Sequence, residues 1–301
     1  MRVAITGASG LIGTALSARL HSMGHEATPL VRRPVGAGER AVQWDPGAGT
    51  IDRDGLEGLD AVVHLAGAGV GDRRWSLARK QVVLESRTRS TAFLAQALAG
   101  LADPPRALIS ASAVGFYGDR ADETVTEQTG PGSDFLAYVC QRWEAAAGPA
   151  SEAGIRVAFA RSGIVLSAHG GALGKLLPMF RLGLGGRFGT GSQWWSWITL
   201  DDEVGALLWL LDHDQAGPVN LTAPNPVTNR EFTRVLGQVL SRPAVLPVPR
   251  FGPRLLLGAE LAEALLFTSA KVVPAVLEKG GYNFTDTDLE PGLRRLLRPA
   301  G

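Results

Sequence analysis

The segment Thr6-Gly7-Ala8-Ser9-Gly10-Leu11-Ile12-Gly13 constrains this chain more than any other feature. It follows a short apolar run, Val3–Ile5, and opens a stretch from Leu11 to Met23 whose apolar residues recur at helical spacing. The strand must therefore turn sharply into a helix, and each glycine has its own task. Gly7 permits the tight turn, Gly10 lets backbone approach a pyrophosphate, and Gly13 lets the helix pack closely on the strand. The turn with Ser9, and the helix start at Leu11 and Ile12, would offer backbone N–H groups and a partial positive charge to phosphate.

The rest of the first half alternates the two periods. Strand-like runs at Glu26–Val31, Ala61–Leu65, Ala107–Ser110 and Val157–Arg161 are separated by helical stretches, of which Leu77–Leu101 and Phe135–Ala153 are the clearest. Continuous apolar strands between helices predict a parallel, doubly wound sheet: an α/β, Rossmann-type fold. After Leu166 eight glycines crowd a segment that also holds Trp194, Trp195 and Trp197. This segment cannot be regular helix or strand throughout. Regular structure resumes with a helix at Asp201–Leu211 and a strand at Val219–Leu221. Beyond Thr228 come helices separated by a connector with Pro243, Pro247, Pro249 and Pro253. We expect a dinucleotide-binding domain of residues 1–165 plus about 199–222, and a smaller, mainly helical substrate lobe of 166–198 plus 223–301.

The adenosine ribose should lie where the second strand ends. A carboxylate there would accept from a ribose 2′-hydroxyl, but this strand ends Leu30-Val31-Arg32-Arg33. Two guanidiniums suit a 2′-phosphate, which favours NADP(H) over NAD(H); otherwise they are solvated loop charges. With 30 basic and 29 acidic residues the chain has no overall field to attract nucleic acid or an anionic membrane. Its longest apolar stretches are broken well short of a membrane span. Arg254–Phe267 is interrupted by Glu260 and Glu263 and reads as an amphipathic helix against a core or a dimer partner. Arg294, Arg295 and Arg298 read as solvating the last helix. The single cysteine, Cys140, precludes an internal disulfide and fits a reducing, cytoplasmic setting. The scattered histidines, His64 at a buried strand end among them, have no metal-site spacing. A small-molecule substrate and a monomer or homodimer are expected.

Several further tokens carry a resemblance: His64-Leu65-Ala66-Gly67, Ser110-Ala111-Ser112 ahead of Phe116-Tyr117-Gly118, and Trp197-Ile198-Thr199-Leu200-Asp201-Asp202. With the glycine loop they resemble the extended short-chain dehydrogenases/reductases and their epimerase/dehydratase branch. Gln193-Trp194-Trp195-Ser196-Trp197 and the run Asn220–Thr228 are similar to an atypical subgroup, the epimerase family proteins, which carry a small helical C-terminal module. The resemblance implies that Leu65, Ala66 and Gly67 line the adenosine and pyrophosphate path. It also places Ser86 and Ser110 at the cofactor side and Arg161 to Gly163 beside the nicotinamide. Ser112 falls where a Ser or Thr hydrogen-bonds the substrate oxygen.

The same resemblance exposes a departure. Ordinary members need a Tyr and a Lys one helical turn apart, the Lys lowering the phenol pKa and holding the nicotinamide ribose. The corresponding stretch, Phe135–Glu144, sets Tyr138 and Arg142 at that spacing. Alignment on Trp143-Glu144 instead puts Leu136 and Cys140 at the two positions. Either way the Lys is absent. Tyr138, Tyr117 or a water would then relay the proton. Cys140 lacks a His/Asp context and reads as a small buried residue. Trp194, Trp195 and Trp197 either stack on a flat ligand or pack between the lobes. The expectation is an NADP(H)-dependent oxidoreductase or epimerase-like protein acting on a small, weakly charged carbonyl or alcohol. The rival is a non-catalytic NADP(H)-binding redox sensor or scaffold.

Overall fold

The computed structural model describes residues 1–297. Strand β1 (Arg2–Thr6) runs through the glycine turn into helix α1 (Leu11–Ser22), followed by β2 (Glu26–Val31), β3 (Val42–Asp45), β4 (Thr50–Ile51) and β5 (Ala61–His64). Helix α2 (Leu77–Ala99) leads to β6 (Ala107–Ala113), the short β7 (Thr124–Val125), and helices α3 (Phe135–Ala145) and α4 (Gly148–Glu152). Then come β8 (Arg156–Ser162), β9 (Ile164–Ser167), helix α5 (Gly171–Arg181), and the short strands β10 (Trp194–Trp195) and β11 (Trp197–Thr199). Helix α6 (Leu200–Asp212), β12 (Gly217–Leu221), β13 (Val227–Thr228) and α7 (Asn229–Val239) follow. The chain closes with α8 (Phe251–Leu257), α9 (Ala259–Ala262), β14 (Lys271–Val272), α10 (Ala275–Lys279) and α11 (Leu289–Leu296).

One sheet organises this chain, in the order β12-β8-β6-β5-β1-β2-β3-β4, parallel throughout except for the β3–β4 pair. The doubly wound parallel sheet read from the sequence is thus the observed one. Alternate residues of each strand feed opposite faces. Val3 and Ile5 pack with Leu16 and Leu20 of α1 and Leu207 and Leu211 of α6. Ala4 and Val62 face Leu94 and Leu98 of α2. A third cluster forms away from the sheet, where Leu173 and Phe180 of α5 meet Trp195, Trp197, Phe232 and Leu293. The chain reverses direction across the sheet between β1 and β5, so a crevice opens at their carboxyl ends, the place where such folds bind ligands.

Local chemistry fixes the helix starts that face this crevice. Asp134 caps α3 by accepting from Ala137 N at 2.9 Å, and Ser76 caps α2 by accepting from Arg79 N at 3.1 Å. Thr199 caps α6, whose first turn holds Asp201, Asp202 and Glu203, as the helix dipole favours.

Three expectations are corrected. The helix expected over Phe135–Ala153 breaks into α3 and α4, because Pro149 cannot donate within a helix and instead starts a new one. The glycine-rich segment, as expected, is not regular throughout: it holds one helix, α5, with Pro178 inside it, and otherwise turns and short strands. The amphipathic helix expected at Arg254–Phe267 is divided at Gly258, whose φ of +89° lies in the left-handed region, and ends in a widened turn. Arg295 does not simply solvate the last helix: it pairs with Asp286 and with Asp201 of α6, tying the C-terminal helix to the sheet domain. Arg294 pairs with Glu290 on the surface, and Arg298 lies outside the described residues.

Candidate dinucleotide and substrate cleft

The glycine loop forms a cradle that side chains would fill. Gly7 adopts φ +67°, and a Cβ there would lie 3.0 Å from the Leu65 carbonyl. A Cβ on Gly13 would stand 2.3 Å from Gly7 O, so α1 can start this close to the loop only with glycine. Gly10 N donates to Gly7 O at 2.9 Å. No side chain caps α1, and its first turn has no acidic residue. The N–H groups of Leu11 and Ile12, next to exposed Ser9, therefore keep an uncompensated positive end. The loop is braced from β5. Thr6 Oγ1 accepts from the backbone N of Leu65 at 3.0 Å and of Ala66 at 3.1 Å, and lies 2.8 Å from His64 Nδ1. Burial pushes His64 down to about 4, so this imidazole stays neutral and structural near neutral pH. Ser86 Oγ accepts from Ala68 N at 3.1 Å and shapes the same turn, while Ser110 is wholly buried within β6.

At the end of β2, Arg32 and Arg33 are both exposed. They are not equivalent. Arg33 forms a bidentate pair with Glu39, whose carboxyl that hydrogen bond holds down at about 2. Arg32 has no such partner among the described residues. Glu39 lies six residues beyond Arg33, so nothing in local spacing announced it.

Behind the crevice a buried polar chain links three of the expected site residues. Ser112 Oγ donates to Glu144 Oε1 at 2.7 Å, and Glu144 holds Arg161 through Nε and Nη2, each at 2.8 Å. Arg161 Nη1 donates to the Tyr117 hydroxyl at 3.0 Å, which donates to Asn220 Oδ1 at 2.7 Å. The Arg161 guanidinium also stacks 3.5 Å from the Phe116 ring centre. Tyr117 is wholly buried, and that burial holds its phenol above the ordinary value. Tyr117, Ser112 and Arg161 thus come together in one hydrogen-bonded network, in which both hydroxyls and the guanidinium have protein partners.

The crevice itself is a cleft of about 250 Å³. Its walls are Ala113–Gly115, then Leu136, Val139, Cys140 and Trp143 of α3, then Ser162–Ile164, with Trp194 and Trp195 opposite. Helix α3 therefore turns Leu136 and Cys140 into the cleft. Tyr138 sits on the outer face, half-exposed, so it is removed from the expected proton relay. Burial pushes the Cys140 thiol up to about 12, which keeps it protonated. Gly163 passes the cleft as bare backbone, and a Cβ there would meet Ser196 O at 2.5 Å. The tryptophans divide. Trp194 and Trp195 border the cleft, whereas Trp197 is fully buried, donates from Nε1 to Asn225 O at 3.0 Å and belongs to the third core cluster. Its expected substrate role is corrected to packing. Two residues that the sequence reading did not single out matter here. Glu144 anchors the network, and Arg87 of α2 lines the cleft against the Trp143 ring at 5.0 Å.

Cradle, crevice and strand order together are those of nucleotide-binding reductases and epimerases, and comparison with known proteins decides the family. Residues 3–222 match the model of the NAD dependent epimerase/dehydratase family. The chain belongs to that family. Residues 248–296 of this epimerase-family chain match a second model, a domain of unknown function (DUF1731). An epimerase family protein of Mycobacterium leprae is 44% identical over 94% of this chain and 91% of its own length. The epimerase family protein SDR39U1 of Homo sapiens is 35% identical over 99% of this chain and 100% of its own. The crystal structure of human SDR39U1 (isoform 2) with NADPH superposes at a TM-score of 0.90 and 34% identity, covering 98% of this chain and 99% of that one. The membership agrees with the resemblance carried by the sequence tokens. Among the described residues no group of His, Cys, Asp or Glu could hold a metal ion, and no helix is long and apolar enough to cross a membrane.

Proposed function

We propose that the protein binds NADP(H) in the glycine cradle and reduces or oxidises a small carbonyl or alcohol in the adjoining cleft. The observation that carries this reading is their adjacency: a Cβ on Gly7 of the cradle would touch Leu65, and Gly67 of the same turn lies against Arg87, which lines the cleft together with Ala113–Gly115 and Gly163. Two glycines whose Cβ atoms would collide with backbone and a helix start without cap or acid fit a dinucleotide's pyrophosphate. Arg32, free of any carboxylate, fits a 2′-phosphate. The human relative's crystal structure with NADPH supports the same assignment. When bound, the nicotinamide gives or takes a hydride at its C4. Segments 166–198 and 223–297 form the lobe that closes the cleft, with Trp194 and Trp195 excluding water from one side. Because Ser112, Tyr117 and Tyr138 keep their hydroxyls elsewhere, water admitted to the cleft supplies the proton.

Calorimetric titration with NADPH, and with NADH alongside, tests the cofactor. Tight NADPH and at least tenfold weaker NADH are expected, and binding of neither removes the proposal. A carbonyl panel followed by loss of NADPH absorbance then tests the chemistry. Ser112→Ala or Tyr138→Phe should leave kcat within twofold, and a tenfold fall in either would show that the hydroxyl, not water, delivers the proton. A second reading, a non-catalytic NADP(H) sensor, is favoured by one observation: α3 offers the cleft Leu136 and Cys140, neither of which exchanges protons near neutral pH. It predicts no turnover with any carbonyl and unequal affinities for NADP+ and NADPH.

A further inference from the structure

Among the described residues, Arg87 is the one cation lining the cleft, and the proposed chemistry does not use it. Its Nη1 donates to two backbone carbonyls, Ala68 O at 2.9 Å and Val83 O at 3.2 Å. Among the described residues no carboxylate pairs with it, and Nε and Nη2 have no protein acceptor, nor are they sealed from solvent as the Arg79 Nε is. The free donors are the side-on edge of the guanidinium, the edge that takes a carboxylate or phosphate through two parallel N–H bonds. The group is held in place. Its central carbon lies 5.0 Å from the Trp143 ring centre, and a Cβ on Gly67 would come within 3.2 Å of the same carbon. Burial, with Arg79's like charge as a smaller contribution, holds its pKa below the ordinary arginine value. A half-buried, immobilised and unpaired guanidinium is costly unless an anion completes it.

We propose that Arg87 is the specificity-determining residue of the cleft and that the substrate carries one oxyanion, a carboxylate beside an apolar body, gripped by Nε and Nη2. The walls agree with this chemistry, since Leu136, Val139, Trp143 and Trp195 line the same cleft as Arg87 with apolar surface. One charged group on a compact apolar acid matches a single fork in such a cleft, whereas a sugar diphosphate brings two phosphates to one cation. The proposal rests on the reading of this cleft as the substrate site. The same oxyanion chemistry could instead come from the dinucleotide's own phosphates, and the test separates the two sources.

Sodium benzoate and benzamide, equal in shape and unlike in charge, are the probes. Each is titrated calorimetrically into the protein saturated with NADPH, and again without nucleotide. Benzoate should bind at least tenfold more tightly than benzamide. Arg87→Gln should abolish that preference while leaving NADPH affinity within twofold, and Arg87→Lys should recover it only in part, because an ammonium cannot present a fork. Equal binding of the two probes to the wild type would overturn the proposal without recourse to any variant. So would an Arg87→Gln protein that keeps the benzoate preference but loses NADPH affinity tenfold, which would assign the fork to the dinucleotide. Failure of the wild type to bind NADPH would instead count against the proposed function, and the nucleotide-free comparison would still decide the role of Arg87.

Discussion

Replacing Glu203 by glutamine probes how the fold handles a carboxyl that it has almost wholly removed from water. Glu203 is 1% exposed, Oε1 accepts from Ser162 Oγ at 2.5 Å, and Oε2 has no partner. Burial pushes its pKa up from 4.5 to about 7. At about 1.36 kcal/mol per pH unit, that difference amounts to roughly 3 kcal/mol. A raised carboxyl binds more protons folded than unfolded, so its ionisation removes stability as pH rises from 4.5 towards 7. His64 opposes it. Lowered from 6.5 to about 4 by burial, it binds fewer protons folded than unfolded, and its contribution is lost as pH falls across that interval. These two contributions nearly cancel in the wild type between about pH 4.5 and 6.5. Glutamine keeps the acceptor for Ser162 and removes the titration. Urea unfolding at pH 4.5, 5.5, 6.5 and 7.5 should therefore show Glu203→Gln close to wild type at the acid end and more stable by roughly 3 kcal/mol at the alkaline end. An offset between the two proteins that stays constant with pH would refute the reasoning.

Three other outcomes are expected. Arg161→Met leaves Glu144 buried without its cation and should cost about 3–5 kcal/mol in chemical denaturation; combining it with Glu144→Gln should cost less than the sum of the two single changes. Gly13→Ala drives a Cβ to 2.3 Å from a backbone oxygen, so NADPH binding by calorimetry should disappear and the thermal midpoint should fall. Arg32→Ala should weaken NADPH about 10–100-fold without changing NADH, whereas Glu39→Gln should tighten NADPH by releasing Arg33.

The sheet was legible because its signals are local. A glycine turn between a strand and a helix, and apolar runs alternating with helical spacing, determine strand order and handedness with few alternatives. What escaped was long-range. The strand Val42–Asp45 is short and half polar, and only its pairing with Leu30 and Val31 on one side and with Thr50 and Ile51 on the other makes it a strand. Ser112 and Tyr117 have the residue types that the chemistry wants, but Glu144 and Asn220, 32 and 103 residues away, consume their hydroxyls. Helical spacing showed that Tyr138 and Arg142 share a face, and it could not show which face meets the cleft. The competing register, with Leu136 and Cys140 inward, is the one whose side chains the structure turns to the cavity. Arg87 had no signature, because its meaning is the absence of a carboxylate nearby.

The ties between the sheet and the C-terminal segment bear on modularity. Two separate family models, one ending at residue 222 and one starting at 248, invite the picture of a catalytic unit with an accessory that evolution or an engineer could exchange. The hydrogen bonds deny it. Asn220 donates to Val273 O at 3.0 Å, and Ser196 Oγ bridges Ala270 O and Val272 N at 2.8 Å each. Asp202 accepts from the backbone of Thr285 and Asp286, and Glu127 from both Asn220 N and Val276 N. Excising the tail would strand buried carboxylates and hydroxyls beneath the cleft. A graft between relatives must therefore carry Ser196, Asp202, Asn220 and Glu127 along with the tail that completes them.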